Sequence, residues 1–542
     1  MHHHRFTVPP FAFHVSHLPL YNWVKPNEDQ TRSKTMPAAT IKSKNSSRKG
    51  HIGYEQHTIQ EVPLALSYDD VLLVPQRSSI ASRREVDTST YLSRNIRLHM
   101  PVVSANMDTV TESAMAIEMA RQGGIGIIHR FLTIEMQADE VRRVKRAESF
   151  VIAQPYTISP ETTIEHARQL MERRDVGGLV VVDEQGKLIG LLSARDVRFV
   201  RNPDLFVQDV MTPRQKLVTA PADISVAEAQ DIFSTHKIEK LPLVDDGAVV
   251  GLITAKDIEQ GGKNPRAAKD RRGRLLVGAA IGVTGGVMER AGALLEAGAD
   301  VLVVDVAHGH SDAVIDVVTQ LKERWPETDI IAGNVATAEG ALDLIKSGVD
   351  AVKVGVGPGS TCTTRIVTGA GVPQFSALLD CAEICREAGV PVIADGGIKA
   401  SGDIAKALAA GASTVMLGGL LAGTDESPGQ TITRRGQRYK TYRGMASLSA
   451  TTARRRRERE ISDITQQEDD SWVSQVVPEG VEAMVPYRGP VREVLLQLVG
   501  GLRSGMSYCN ARNLEELWSN ARFVRVTPAG IRESGPHDVV LD

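Results

Sequence analysis

The sequence predicts a parallel (β/α)8 barrel, a TIM barrel, with a duplicated module set inside one of its crossovers. Two patterns predict it. Short apolar segments alternate with stretches whose apolar residues recur at helical spacing, as in a parallel sheet wrapped by helices. One interval, from about residue 150 to 260, is far too long for a single crossover and contains its own repeat.

Residues 1–60, which include MHHHRF and KSKNSSRKGH, carry little periodicity and read as a flexible N-terminal extension. Its three early histidines are either a metal-binding tract or an accident of sequence. A first part of the barrel, 61–149, holds strands expected at PVVSA 101–105 and GIGII 124–128. The second part, 261–542, supplies LLVGA 275–279, VLVVD 301–305, DIIAG 329–333, AVKVG 351–355, PVIAD 391–395 and TVMLG 414–418. Eight strands favour a closed barrel over an open sheet. Between them, ALLEAGAD, IDVVTQLKERW and DIAKALAAGA show helical periodicity, with glycine or aspartate before the next strand.

Within 150–260 the first copy reads TISPETTIEHARQLMERRDVGGLVVVDEQGKLIGLLSARDV and the second TAPADISVAEAQDIFSTHKIEKLPLVDDGAVVGLITAKDI. Each predicts a helix, a buried strand, an acidic turn, a second strand and a closing helix, with Asp196 and Asp257 at equivalent ends. The pair resembles the cystathionine-β-synthase-type (CBS) domains. That resemblance implies a regulatory module binding adenine or guanine nucleotides between the repeats; a passive or oligomer-building insert is the alternative.

With 542 residues and a formal net charge of -3, the chain is long enough for several compact units and gives no global attraction for nucleic acid or membrane. Four cysteines without framework spacing point to a reducing, cytoplasmic setting. No apolar run is long enough to predict a spanning helix.

The chemistry concentrates in GVGPGSTCTTRIVTGAGVPQ, which starts at Gly355 directly after the sixth strand, where barrel enzymes build their sites. Gly355, Gly357 and Gly359 let backbone approach a ligand or ion, and Ser360 offers a donor to an anion. Cys362 in that setting is a candidate nucleophile. A single cysteine is more often inert core, the reading given to Cys381 and Cys385 on DCAEICREAG.

SYDDVLLVP, SANMDTVTE, GPGSTCTTR, IADGGI, YRGM, VPEGVE, GLRSGMSY and RVTPAGIRESGPHD occur in this order. From about residue 61 onward the chain resembles the inosine monophosphate dehydrogenase family, with guanosine monophosphate reductase as its sister. The resemblance implies NAD-dependent oxidation of inosine monophosphate to xanthosine monophosphate in guanine nucleotide synthesis. A Cys362 adduct at purine C2 would release hydride to NAD and then be hydrolysed. Ser104 and Met107 would line the base and ribose; Ser360, Gly396, Gly397, Gly418, Gly419 and Tyr442 would surround the phosphate; Asp395 would bind the ribose hydroxyls. Taken alone, Asp395 could instead cap a loop. Asp305 and Asn334 would face the dinucleotide, and Thr364 would stand close to the reacting base. A monovalent cation, K+, would be held by carbonyls at Gly357, Gly359 and Cys362, with Glu533, Ser534 and Gly535 supplied by a neighbouring chain. The family also implies a homotetramer, or an octamer joined through the inserted domains.

The pattern breaks in the expected flap, 447–480. The dehydrogenases carry an adjacent arginine and tyrosine there, the arginine serving as the base that activates water. This chain reads ASLSATTARRRREREISDITQQEDDSWVSQVVPEG and has no such pair. One of Arg454 through Arg457 is a substitute base, or the run is a solvated face. Glu479 beside a threonine is a second route to water activation. Gly419 replaces a phosphate-binding serine, and Ala446 and Ser449 replace flap glycines. These departures keep open an NADPH-dependent guanosine monophosphate reductase and a purine-nucleotide-binding regulatory protein with little turnover.

Overall fold

The computed structural model describes residues 62–148, 151–152, 155–174, 176–256, 258, 264–453 and 477–535. The predicted extension 1–60 and the flap residues Arg454–Arg457, Ser471 and Trp472 lie outside the described residues.

All eight predicted strands join one closed parallel barrel, in spatial order Val277–Ile281, Val301–Asp305, Asp329–Val335, Ala351–Val354, Val392–Asp395, Thr414–Leu417, Val102–Ser104 and Ile125–Ile128. The register sets Gly278 opposite Val301, Val303 opposite Ile331, and Val103 opposite Ile125, and it shifts at a bulge where Gly333 faces Lys353 but Val335 faces Val354. The third strand begins two residues later than its apolar run. Leu275 and Leu276 pair back on Lys269 and Ala268 beneath the barrel before the strand starts.

Strand alternation divides the core in two. Val103, Ala105, Ile127, Val301, Val303, Ile331, Ala351, Ile393 and Met416 fill the barrel interior, closed below by Leu92 and Leu98. Their alternate neighbours, such as Val102, Ile128, Leu302, Val304, Val352, Ala394 and Val415, pack against the helices. The helices present matching stripes: Asp312–Arg324 buries Val314, Val317, Val318 and Leu321. The same alternation sends Asp305, Lys353 and Asp395 inward at the carboxyl ends of their strands, just above the apolar filling.

The insert forms two small sheets. In the first copy, helix Ile164–Arg174 precedes strands Gly178–Val182 and Leu188–Ser193 and a closing helix Ala194–Val197. In the second, helix Val226–His236 precedes Lys240–Asp245 and Ala248–Thr254. The edges are exchanged: Thr212–Pro213, which leads into the second copy, pairs with the first, whereas Val151–Ile152, which leads into the first, pairs with the second. Val180, Leu188, Leu191 and Leu252 form a cluster shared by both. Asp196 caps its helix, its carboxylate accepting from the Ser193 amide and hydroxyl at 2.8 and 2.7 Å. Asp257 lies outside the described residues. Where the chain leaves and rejoins the barrel, Glu148 is held by Arg121 at 2.9 Å, Lys269 at 3.0 Å and Asn264 at 3.0 Å. Among the described residues no helix is long and apolar enough to cross a membrane.

Candidate active site

A cavity of about 680 Å³ opens at the carboxyl ends of the barrel strands. It gathers Met107, Asp305, Asn334, Gly357, Gly359, Ser360, Cys362, Thr364, Asp395, Gly396, Gly397, Gly418, Gly419, Tyr442 and Glu479, from at least six separate loops. These residues come from positions far apart in sequence; barrel closure brings most of them together, and an antiparallel sheet outside the barrel adds Tyr442.

The loop after the sixth strand turns at Gly355, whose φ is +149°. A Cβ there would stand 2.0 Å from the Asp395 carbonyl oxygen, so only glycine lets the sixth and seventh strand ends close against each other. Cys362 sits partly exposed on this loop. Its thiol donates to the Thr364 hydroxyl at 3.1 Å, and that hydroxyl donates to Glu479 at 2.8 Å. The returning arm of the flap delivers Glu479 by pairing with the cysteine loop. The Thr363 amide donates to the Glu479 carbonyl at 2.9 Å, the Val481 amide donates to the Thr361 carbonyl at 2.9 Å, and Cys362 bridges Gly480. By contrast Cys381 and Cys385 are fully buried, and burial pushes their thiols up, that of Cys385 to about 12. They are core residues, as the sequence suggested.

Lys353 organises the floor of the cavity and was not singled out from the sequence, although a lysine inside the apolar run AVKV was a signal for it. It is 1% exposed. Its ammonium donates to Asp305 at 2.7 Å, to Asp395 at 2.9 Å and to the Asn334 side-chain oxygen. The Asn334 amide in turn donates to Asp395 at 3.0 Å and to the Gly355 carbonyl at 2.7 Å. Burial opposes ionisation of Asp305, but Lys353, with Arg130 and Asn106, outweighs it and holds the carboxyl below the usual range. Burial likewise opposes the charge on Lys353, and the two carboxylates reverse it, raising its pKa. Arg130 and Phe131 join Asp305 on one wall, a second pair the sequence did not reveal.

Across the cavity, Ser360 and Tyr442 hydroxyls stand 3.5 Å apart beside Gly418 and Gly419. Burial raises the Tyr442 pKa, so the phenol stays a neutral donor. Arg443 next to it forms a forked ion pair with Asp108, fixing the strand that carries Tyr442 to the loop that carries Met107.

One expectation does not match the cavity of this chain. Ser104 is fully buried, its hydroxyl accepting from Thr111 at 2.8 Å, and Ala105, Asn106 and Met107 form the wall instead. The cause is strand alternation: Val103 and Ala105 face the barrel interior, so Ser104 faces the helices. Glu533, Ser534 and Gly535, expected to serve the site of a neighbouring chain, are exposed at and beyond the end of helix Pro528–Glu533.

A closed parallel barrel whose mouth carries a hydrogen-bonded cysteine, threonine and glutamate above a lysine-bridged carboxylate pair defines a TIM-barrel enzyme with its site at the carboxyl ends of the strands. Residues 65–537 match the family model described as IMP dehydrogenase / GMP reductase domain. The chain belongs to that family. It is 54% identical over 477 residues to inosine-5'-monophosphate dehydrogenase of Nitrosopumilus maritimus, covering 88% of this chain and 98% of the relative. The enzyme of the same name from Bacillus subtilis is 52% identical over 479 residues, covering 88% and 96%. Among solved structures, a cysteine-to-alanine variant of GMP reductase from Trypanosoma brucei in complex with guanosine 5'-monophosphate superposes with a TM-score of 0.75 at 48% identity, covering 89% of this chain and 99% of that one. GMP reductase from the same organism in complex with guanosine 5'-triphosphate gives 0.65 at 44%, covering 86% and 99%.

Proposed function

We propose that this chain oxidises inosine 5'-monophosphate to xanthosine 5'-monophosphate through a covalent adduct on Cys362. The observation that carries the reading is the continuous Cys362–Thr364–Glu479 hydrogen-bond chain at the barrel mouth. The curated relatives named as this dehydrogenase, 51–54% identical over most of the chain, support it. NAD supplies the hydride acceptor when bound.

The chain's own residues do the rest. Asp395 accepts the two ribose hydroxyl hydrogens, while Ser360, Tyr442 and the glycine turns at 396–397 and 418–419 hold the phosphate, placing purine C2 against Cys362 Sγ. Thr364 and Glu479 relay the Cys362 thiol proton out to solvent, leaving Glu479 ionised again, as the sulfur bonds to C2 and that carbon gives up its hydride to the bound acceptor. The alkylated sulfur no longer carries a proton, so Thr364 loses its donor and its oxygen becomes free to accept from water. Thr364 passes that proton to Glu479 as the water oxygen bonds to C2, and the C–S bond then breaks to release xanthosine monophosphate and the thiol.

On the dinucleotide side, Asp305 and Asn334 fit a polar ligand, since each keeps unused lone pairs beyond its contact with Lys353. The loop carbonyls at Gly357, Gly359 and Cys362 suit a hard monovalent cation such as K+ in chemical kind. One chain leaves that donor set incomplete, and the exposed Glu533–Gly535 segment completes it from a neighbouring copy in a homotetramer or octamer. The insert is a CBS-type pair that takes adenine or guanine nucleotides, a reading supported by a relative solved with guanosine 5'-triphosphate. The enzyme works in the cytoplasm.

A second reading is favoured by the T. brucei GMP reductase, matched over 99% of its length, and by the absence of an adjacent arginine and tyrosine at 447–480. The same cysteine would then displace ammonia from guanosine monophosphate, and NADPH would reduce the adduct to inosine monophosphate. Rapid mixing of the pure protein with inosine monophosphate and NAD, and separately with guanosine monophosphate and NADPH, decides between them. Xanthosine monophosphate with a burst of NADH is expected, and Cys362→Ser should abolish the burst while retaining nucleotide binding. A burst that survives in Cys362→Ser removes the covalent mechanism; inosine monophosphate and ammonia from the second mixture replace the dehydrogenase with the reductase.

A further inference from the structure

Arg365 follows the catalytic threonine on the short helix Thr364–Thr368. Its neighbours Ile366 and Val367 project into solvent, at 86% and 42% exposure, but the arginine turns back beneath the loop. Its guanidinium donates to the Val356 carbonyl at 3.4 Å and to the Val372 carbonyl. Val356 opens the loop that carries Cys362, and Val372 closes it.

The stem of the side chain lies in a slot between Gly357 and Gly371, whose φ angles are +86° and +148°. A Cβ on Gly357 would stand 2.6 Å from Arg365 Cγ, and one on Gly371 would stand 2.7 Å from it. Both distances are far inside carbon–carbon contact, so the slot exists because both positions are glycine. The Arg365 Nε is buried without a partner, so shape and two carbonyls hold the guanidinium. Arg365 does not line the cavity.

The segment spanned by these contacts contains Gly357, Gly359, Ser360, Cys362 and Thr364. Glycine-rich backbone loses much conformational freedom on ordering, so a loop of this composition needs a brace if one atom in it must be placed to a fraction of an ångström. We infer that Arg365 is a positioning residue for the covalent step, clipping the two ends of the loop together and thereby setting where Cys362 Sγ meets the nucleotide. The inference rests on the reading of Cys362 as the nucleophile. Both bonds come from one terminal nitrogen, Nη2, whose two in-plane hydrogens point at the two carbonyls, while the flat guanidinium and its stem fill the slot between the glycines, a shape that a lysine's tetrahedral ammonium does not reproduce.

The test compares Arg365→Ala and Arg365→Lys with the parent enzyme. Melting temperature, nucleotide KM, the rate of the reduced-dinucleotide burst and the rate of Cys362 alkylation by iodoacetamide are measured, with and without millimolar guanidinium chloride. Misplacing a reacting atom by about 1 Å costs about 10²-fold, so the burst in Arg365→Ala should slow by about that factor while KM changes little. Alkylation should lose its protection by bound nucleotide, because the thiol no longer sits against C2. Guanidinium entering the vacated slot should restore part of the burst in Arg365→Ala and none in Arg365→Lys. A parent-like burst in Arg365→Ala overturns the inference, as does a slowed burst that guanidinium leaves unchanged. If Arg365→Ala fails to fold, the lysine variant decides, and a parent-like burst in it overturns the inference. A burst that survives in Cys362→Ser removes the nucleophile and overturns the inference with it, whereas a burst lost in Cys362→Ser and parent-like in Arg365→Ala overturns the inference alone.

Discussion

Replacing Lys353 by methionine separates charge from shape at the floor of the site. Methionine keeps most of the stem that fills the barrel top, but Asp305 and Asp395 lose the ammonium lying 2.7 and 2.9 Å from them. Removing one partner of a buried ion pair typically costs about 3–5 kcal/mol, because an uncompensated charge is left behind. The two carboxylates keep 22% and 24% of their side-chain exposure, so water relieves part of the repulsion. The lower end, about 3 kcal/mol near neutral pH, is therefore expected. The pH dependence has a definite sign. In the parent, the depressed pKa of Asp305 contributes stability that is present above the ordinary carboxylate range and lost as pH falls through the folded value. In Lys353→Met, burial is no longer outweighed and the folded pKa rises above the unfolded one, so the variant is best off at low pH and loses stability as pH rises. The gap between the two proteins should narrow from about pH 7.5 to about pH 4.5. Urea unfolding at both pH values, followed by far-UV circular dichroism, measures it. A gap under about 1 kcal/mol at the higher pH, or one equal at both, would refute the role assigned to Lys353.

Glu479→Gln keeps an acceptor for Thr364 but cannot take up a proton. Adduct hydrolysis should fall by about 10²–10⁴-fold with the NADH burst much less affected, as rapid mixing with acid-quench trapping would show; equal losses in both phases count against the relay. Gly355→Ala forces a Cβ to 2.0 Å from the Asp395 carbonyl and should destabilise the barrel by roughly 3 kcal/mol or more, so a parent-like melting temperature would contradict the described turn.

The barrel was legible because its strands are apolar runs buried on both faces, and the cysteine loop because its glycines mark backbone that must turn sharply. Which face a residue takes was harder to read. SANMD identifies the correct loop, yet Ser104 lies on the helix side of its strand, and only the parity of Val103 and Ala105 reveals it. Lys353 was visible as a charge inside AVKV, but its two carboxylate partners lie 48 and 42 residues away and meet it only once the barrel closes. The contact of Glu479 with Thr364 spans 115 residues and depends on the flap arm pairing with the cysteine loop, a register no local pattern encodes.

The exchanged edges of the insert bear on how such a module is gained or lost. Val151–Ile152 pairs with Ala248–Thr254, so the chain departs from the barrel and comes back about one strand spacing apart, roughly 4.8 Å. Glu148, held by Lys269 and Asn264, ties the same two segments together on the barrel side. The barrel therefore feels the whole insert as little more than a tight loop, and excision at this neck leaves two ends that a short linker can rejoin. Excising a single repeat is different: Val151–Ile152 belongs to the second sheet and Thr212–Pro213 to the first, so either half removed alone leaves its neighbour with a bare edge. The architecture makes the pair the unit of inheritance.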